Sequence, residues 1–549
     1  MSLCFVFEHG LQASGKELQD INLSLTASER SAGERLGIEI AHANEFKEIR
    51  DEMIAPCDRS LLESTTNTNI NSLLDEQKAI LKAILDSISE GSGRCIFVDA
   101  PGGTGKTFTF NAILGAVRLL NEIALAVASS GIAAILLDFG RTFHARFKAS
   151  REPAEGQMLG ISGQSALAEL LRRAKLIIWD EAAMGNKFSL EALDASLKDF
   201  MQNDEPFGGK IVVLGGDYRQ TLPIIKGASR AQTLRVTLSN SYLWKEFDHF
   251  KLSKNMRVER VRETLLQTPD DNTQSMLQEL SKFADWLLKL GENRLQTDED
   301  GTIELDENTC LEEGCDIDAL VEWVYPKINS RVISTEWLAS RAILAPYHVD
   351  VNEINDHLTK SFPGEEWICE SADAVGKDSD DHTRVGIEVL NTFNGPGLPL
   401  HQIKLKPNMP IMLMRNLNPR LGMCNGTRLI VIRVINGRLI EATIATGSHR
   451  GQGVLIPRIM LSADPGEYPF EWTRRQFPIR VAFAMTINKA QGQTLECVGV
   501  YLKNDCFSHG QLYVAASRVG HPQHIRFAVD REEDGSFRTR NVVYNEVLT

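Results

Sequence analysis

An apolar run, RCIFVDA, leads into APGGTGKT (Ala100 to Thr107) and then into KTFTFNAILGAVRLL, and this junction constrains the fold more than any other stretch of the chain. Gly102, Gly103 and Gly105 let the backbone close tightly around an anion, with its N–H groups pointing inward. The helix that follows brings the positive end of its dipole to the same place. Such a loop needs a buried strand to present it and a helix to leave it, so the motif demands a strand–turn–helix unit and points to nucleotide phosphate. In that pattern Lys106 reaches the β and γ phosphates, the Thr107 hydroxyl serves Mg²⁺, and Gly102, Gly103, Thr104 and Gly105 line the cradle. One departure is Ala100, which stands where G-x-x-x-x-G-K-[ST] begins with Gly.

The neighbouring segments read as a parallel α/β sheet. IALAVASS, KLIIWDEAAM and KIVVLGGDYRQTLPI hold short apolar runs that alternate with helical patterns, as expected of strands covered on both faces. LLDEQKAILKAILDSISEG precedes them as a helix, with Leu74, Ile80, Leu81 and Ile84 at helical spacing and a Gly stop. KLIIWDEAAM ends on Asp180 and Glu181, and carboxylates at the end of a buried strand are costly without a task. In a nucleotide site Asp180 would hold Mg²⁺ through water, and Glu181 would polarise the attacking water. Together the two motifs imply an NTPase and not a dehydrogenase or a kinase.

Strand and helix patterning resumes at RAILAPYHVDVNEIN and again at RVAFAMTINKAQGQTL and CVGVYL. Between them, over about 375–476, strands punctuated by Gly, Pro and Asn predict a small β-barrel inserted into a second α/β domain, with Asn436-Gly437 as a two-residue hairpin turn. The expected organisation is a tail at 1–65, a first domain at 66–263 with a small insertion near 147–163, and an acidic segment at 264–326. The second domain follows at 327–374 and 477–549, with the inserted barrel at 375–476.

The net charge of -14 is unusual for a protein that binds a polyanion, but it is unevenly spread. Thr264 to Pro326 holds sixteen acidic residues against three basic ones, whereas Val389 to Ile440 holds seven Lys or Arg and no acid. Each run reads either as a solvated face or as a device: a polyanion site in the basic segment, and a linker in the acidic one. Within the latter, SMLQELSKFADWLLKLGEN has an apolar helical face that should pack on the first domain. Gln296 to Asp318 is rich in acids and poor in apolar residues, which predicts an exposed, mobile loop. No run approaches the ~18 apolar residues of a membrane helix, and the start, MSLCFVFEHG, has no basic region typical of a signal peptide. Nine cysteines without a C-x-x-C pair fit a reducing compartment. The expectation is an intracellular protein of the nucleus, with the mitochondrion as the second choice, and no membrane partner.

Read in order, DEQ, PGGTGKT, GIAAILL with RTFHARF, WDEAAM, PFGGKIVVLGGDYRQTLP, NMR, RNLNPRLGMCNGTRL, INKAQGQTL and YVAASR resemble the motifs of superfamily 1 helicases. The set most resembles the petite-integration-frequency (Pif-type) 5′-to-3′ DNA helicases, including those of Helitron-like transposons. LEALDASLKDF…PFGG resembles the signature element of that family, and the resemblance runs from about Leu74 to about Val529. It implies two RecA-like P-loop domains, an SH3-like barrel in the second, and ATP with Mg²⁺ in the cleft between the domains. Gln77 would read adenine, Gln220 would sense the γ-phosphate, and Arg257 and Arg518 would meet it, Arg518 coming from the second domain. Such an arginine finger is worth about 10³–10⁵ in rate.

The resemblance also implies single-stranded DNA and tailed or forked duplex as partners of a monomer. Candidate DNA contacts are Thr142, Phe143, His144, Asn425, Arg428, Thr486 and Lys489; His144 is given no proton-transfer role. Two other readings stay open: a translocase that displaces protein without unwinding, and an inactive transposon-derived remnant that binds DNA. The intact Lys106, Thr107, Asp180, Glu181, Gln220 and Arg518 weigh against the remnant.

Overall fold

The computed structural model describes residues 59–548 apart from 226, 268–272, 330–333, 376–384, 396, 448, 464–467 and 469. Most of the expected N-terminal tail therefore lies outside the described residues. The chain divides into two compact units. One comprises Gly37–Leu320 (described from Arg59), Leu344–Tyr347 and Thr486–Thr549; the other comprises Val321–Ile343 and His348–Met485. These bounds differ from the expected ones, because Thr486–Thr549 clusters with the phosphate loop.

The first unit is built on a six-stranded sheet of β1 (Arg94–Asp99), β2 (Ile123–Ala128), β3 (Arg141–Thr142), β4 (Ala174–Asp180), β5 (Ile211–Gly216) and β6 (Phe247–Lys251). The strand order is β3-β2-β4-β5-β1-β6, and every pairing is parallel. Alternate side chains of each strand go to opposite faces. Phe97, Leu125, Ile177, Trp179 and Leu214 enter one core, whereas Ile96, Val98, Ala126, Ile178 and Val213 enter the other. The continuous apolar runs thus have their cause in a sheet covered on both sides.

Three helices frame the loop region: α1 (Arg59–Asn71), α2 (Asp75–Glu90) and α3 (Lys106–Leu119). α2 stops at Gly91, whose φ of 69° suits a residue without Cβ. α1 lies close on α3, where a Cβ at Gly115 would collide with the Thr66 hydroxyl.

The LEALDASLKDF…PFGG element has a local logic. Asp194, 1% exposed, accepts the Phe207 N–H at 2.7 Å and the Tyr242 hydroxyl at 3.1 Å, and pairs with Lys198 at 2.9 Å. Phe207, Gly208 and Gly209 all have positive φ (53°, 65° and 75°), so the chain reverses sharply before β5. A Cβ at Gly208 would sit 2.7 Å from the Leu197 carbonyl.

The acidic segment corrects an expectation. Its first half is the helix Thr273–Gly291; of the expected apolar face Leu280, Phe283 and Leu287 are buried, Met276, Leu277, Ala284 and Leu288 are half-buried, and Leu290 is buried in addition. Its second half is not a free loop. Thr302–Glu304 pairs antiparallel with Arg538–Arg540, Leu305 N–H donates to the Phe537 carbonyl, and Leu311 N–H donates to the Phe527 carbonyl. Ile303 and Leu305 are 1% and 3% exposed. A few apolar residues at alternating positions, together with strand hydrogen bonds, anchor this stretch, while its carboxylates face water.

The second unit is antiparallel and β-rich. Five strands run in the order Gly453–Pro457, Leu439–Ile444, Arg428–Ile435, Pro410–Leu413 and Ile479–Val481. Their inner faces bury Ile411, Leu413, Leu429, Val431, Ile440, Ile456 and Ile479. Asn436 and Gly437 both take positive φ, as the hairpin reading requires, but pairing resumes at Ile435 opposite Leu439, so the loop has one residue more than expected. A second antiparallel sheet joins Ala372–Val375, Trp472–Gln476 and Ile459–Ser462. At its centre Arg474 and Asp373, both with fully buried side chains, pair at 2.7 Å. Arg474 also donates to the carbonyls of Leu390, Phe393 and Pro399.

Truncating one member of such a pair leaves the other charged and unpaired, at about 3–5 kcal/mol. Arg474→Ala is therefore expected to lower the stability of this unit by that amount in urea unfolding, and Asp373→Ala by a similar amount. A loss below about 1 kcal/mol in both would show that the pair is dispensable.

Candidate nucleotide site

The loop from Ala100 to Gly105 leaves β1 and enters α3 at Lys106. Gly103 and Gly105 hold φ of 91° and 81°, the conformations their lack of Cβ permits. Gln77 packs on this loop: its Nε2 donates to the Thr104 carbonyl at 3.2 Å, while its Oε1 accepts the Leu74 N–H at 3.0 Å. Thr104 is buried and Thr107 half-buried.

Lys106, 9% exposed, lies 2.7 Å from Asp180 Oδ1 and 3.3 Å from Glu181 Oε1. Burial opposes its charge, but the two carboxylates prevail and hold the ammonium above its ordinary range. Burial also raises the Glu181 carboxyl above the usual carboxylate range, with Lys106 opposing the shift. Glu181 sits just past β4 with φ 51°, a left-handed conformation that is costly for a side chain with a Cβ. Its N–H donates to Asp180 Oδ1 at 2.7 Å. The parallel register places β4 beside β5, with Trp179 opposite Leu214, so the turn after β5 comes to the same sheet edge.

That turn supplies residues that sequence reasoning passed over. Asp217 is fully buried. Its Oδ2 accepts from Gln220 Nε2 at 3.0 Å and from the Tyr513 hydroxyl at 3.1 Å; its Oδ1 accepts from Arg219 Nη1 at 3.1 Å. Arg219 also reaches Asp99 Oδ1 at 3.1 Å and Glu292 Oε1 at 2.8 Å. The Gly102 N–H of the phosphate loop donates to the Tyr513 hydroxyl at 3.1 Å. Gln491 Oε1 accepts from the Thr221 hydroxyl at 2.6 Å, and its Nε2 lies 3.5 Å from Glu181 Oε2. Asp217 and Arg219 were visible in GGDYRQ as charges directly after an apolar strand, the argument already applied to Asp180. Tyr513, inside QLYVAASRV, carried no such signal.

Arg518 is 2% exposed and near enough to Glu181 to feel its charge, while burial depresses its own pKa. Its guanidinium donates to the carbonyls of Val514 and Gln493 and to the Ser517 hydroxyl. Arg257 falls in the helix Met256–Gln267, with its side chain outside the described residues.

The expected DNA contacts divide. Phe143 cannot offer a stacking face: it is fully buried, its ring 4.0 Å from Trp179 in a stacked arrangement. Arg428 is not a phosphate contact either. It is 1% exposed, and its guanidinium donates to the carbonyls of Leu338, Ala339, Arg341 and Ala482. Lys406 is likewise buried, on the carbonyls of Lys360 and Phe362. The basic run therefore spends some of its charges inside the unit. Arg433, five residues beyond Arg428, is exposed and pairs with Glu441 at 2.6 Å. His144 and Lys489 are exposed, Thr142 and Asn425 half-buried, and Thr486 is buried at 8% exposure.

Comparison with known proteins bears on this arrangement. Residues 72–301 match the PIF1-like helicase family model, and residues 388–434 match the model of the DNA helicase Pif1, 2B domain. The chain is 28% identical over 459 residues to the ATP-dependent DNA helicase PIF1 of Xenopus laevis, covering 83% of this chain and 61% of that protein. It is 24% identical over 475 residues to the Homo sapiens protein of the same name, covering 83% and 60%. The chain thus spans about three fifths of the length of these curated relatives. The crystal structure of Pif1 helicase from Bacteroides in complex with ADP-AlF3 and ssDNA aligns with a TM-score of 0.58 at 21% identity, covering 84% of this chain and 95% of that one. The Pif1 helicase from Candida albicans aligns at 0.56 and 21%, covering 87% and 98%. These structural likenesses are of fold.

Four outcomes follow from the geometry. Lys106→Ala should abolish nucleotide hydrolysis, whereas Glu181→Gln should keep nucleotide binding and lose turnover. A general base acts in its ionised form and burial raises the Glu181 pKa, so with Glu181 as the expected base the wild-type rate should fall on acidification at a pH above the ordinary Glu value of ~4.3. That limb should vanish from the residual rate of Glu181→Gln in a pH–rate profile. Arg428→Ala should lower the unfolding midpoint and leave the salt slope of single-strand binding unchanged; a slope reduced by about 0.7 would return Arg428 to the phosphate track.

Proposed function

The chain belongs to the PIF1-like helicase family, and from that premise we propose that it is an ATP-dependent DNA helicase. It moves 5′-to-3′ on single-stranded DNA and unwinds tailed or forked duplex. The observation that carries the reading is the buried cluster of Lys106, Asp180 and Glu181, with Gln220 and Arg518 brought to the same strand ends. An ammonium, two acids, an amide and a guanidinium around a glycine-lined helix start are the parts that phosphoryl transfer to water requires.

Lys106 would neutralise phosphate charge once the acids turn to other partners. Glu181, strained and close to Gln491, would orient and deprotonate the water. Arg518 would leave its carbonyl acceptors for the charge that develops in the transition state. Thr107 and Asp180 suit a cation that takes its other ligands from phosphate and water, as Mg²⁺ does; when bound, it would supply further positive charge on the phosphate oxygens. Gln77, against the phosphate loop, is assigned to adenine, and Arg257 to the γ-phosphate.

We further read the chain as two RecA-like domains with an SH3-like barrel formed by the five-stranded sheet. The candidate single-strand contacts are Thr142, His144, Asn425, Thr486 and Lys489. Monomeric action, a setting in the nucleus or mitochondrion, and a role in repair, recombination, telomere maintenance or transposition complete the proposal.

The test compares duplexes that carry a 5′ or a 3′ single-stranded tail. Unwinding of the 5′-tailed substrate alone, with ATP and not with ADP, is the expected result. Unwinding only from a 3′ tail would overturn the direction. ATP turnover with protein displacement but no strand separation would make the chain a translocase.

A further inference from the structure

The Gln220 amide is buried at 4% exposure, and its two ends differ. Nε2 donates to Asp217 Oδ2 at 3.0 Å, while Oε1 has no hydrogen-bond partner among the described residues. A carboxylate can only accept, so Asp217 dictates which end of the amide faces it. The oxygen is thereby aimed away as a lone buried acceptor, and such an atom is costly unless a donor visits it.

Asp217 is itself held from two sides. Arg219 occupies Oδ1, and the Tyr513 hydroxyl occupies Oδ2 together with Gln220. Burial raises the Tyr513 phenol above its usual range, and Asp217 adds to the shift, so the hydroxyl keeps its proton and stays a donor. The same hydroxyl accepts the Gly102 N–H of the phosphate loop. One phenol oxygen therefore joins the loop to the carboxylate that sets the glutamine.

Resting on the helicase reading, we propose that Tyr513 is a positioning residue. Through Asp217 it fixes Gln220 so that Oε1 accepts from the attacking water, and through Gly102 it ties that orientation to the state of the phosphate loop. The ring need not touch nucleotide. Its hydroxyl acts on turnover more than on nucleotide affinity.

The experiment uses the full chain and measures DNA-stimulated ATP hydrolysis together with the affinity for a non-hydrolysable ATP analogue. Tyr513→Phe should lower kcat about 10-fold or more, with KM and analogue affinity within about threefold. Gln220→Ala should lower kcat at least as far, and the double variant should be no slower than Gln220→Ala alone, because both act through one amide. If Tyr513→Phe does not fold, Asp217→Asn takes its place in the same cycle with the same expectation. Multiplicative losses in the double variant, or a raised KM with kcat unchanged, would overturn the proposal and leave the ATPase reading standing. A wild-type chain that hydrolyses no nucleotide would overturn both.

Discussion

A charged lysine held out of water beside two carboxylates is the constraint around which the first unit is arranged. Lys106 can keep its charge at 9% exposure because Asp180 and Glu181 lie within 2.7 and 3.3 Å. Those acids can be buried because strand ends bring N–H donors and counter-charges to one edge of the sheet. β1 presents the loop, β4 the two acids and β5 the turn with Asp217, and only a parallel sheet points all three carboxyl ends the same way. The core beneath follows from that requirement, since the strands must be apolar on both faces to be covered by helices on both sides.

The same sheet edge also gathers residues from distant parts of the chain. Gln491, Tyr513 and Arg518 lie roughly 300 positions beyond the acids they serve, yet they share a compact unit with them. Tyr513 and Asp217 illustrate the benefit: each satisfies a polar group that would otherwise be stranded in the interior. Most polar groups of the site find partners in this way, whereas Gln220 Oε1 is a buried acceptor without one among the described residues.

In the second unit arginine does a different task. Arg428 and Arg474 lie wholly inside, each donating to three or four backbone carbonyls. Loops and strand ends leave carbonyls without ladder partners, and a guanidinium with five donors in a planar fork can serve several of them at once. A count of basic residues along the chain cannot separate such internal braces from contacts meant for phosphate. Arg433, on the same strand as Arg428, is exposed and paired with an acid.

How much could be read in advance follows from the range of the interactions. The phosphate loop, its strand and its helix were legible in Ala100 to Thr107, because glycine conformations and a helix start are local. The acids Asp180 and Glu181 were legible too, as charges at the end of an apolar run. The helix Thr273–Gly291 was legible from the spacing of Leu280, Phe283 and Leu287. Phe143 and Arg428 were misread, since a stacking ring and a core ring, or a phosphate ligand and a carbonyl brace, have the same one-dimensional appearance. The acidic stretch from Gln296 was misread because its order comes from pairing with Arg538–Arg540, more than 230 residues away, and composition carries no trace of that. By itself, then, the sequence determined the strand–loop–helix chemistry of phosphate binding. Only the tertiary structure decided which distant side chains close around it, because burial and partnership are properties of the folded neighbourhood and not of the local chain.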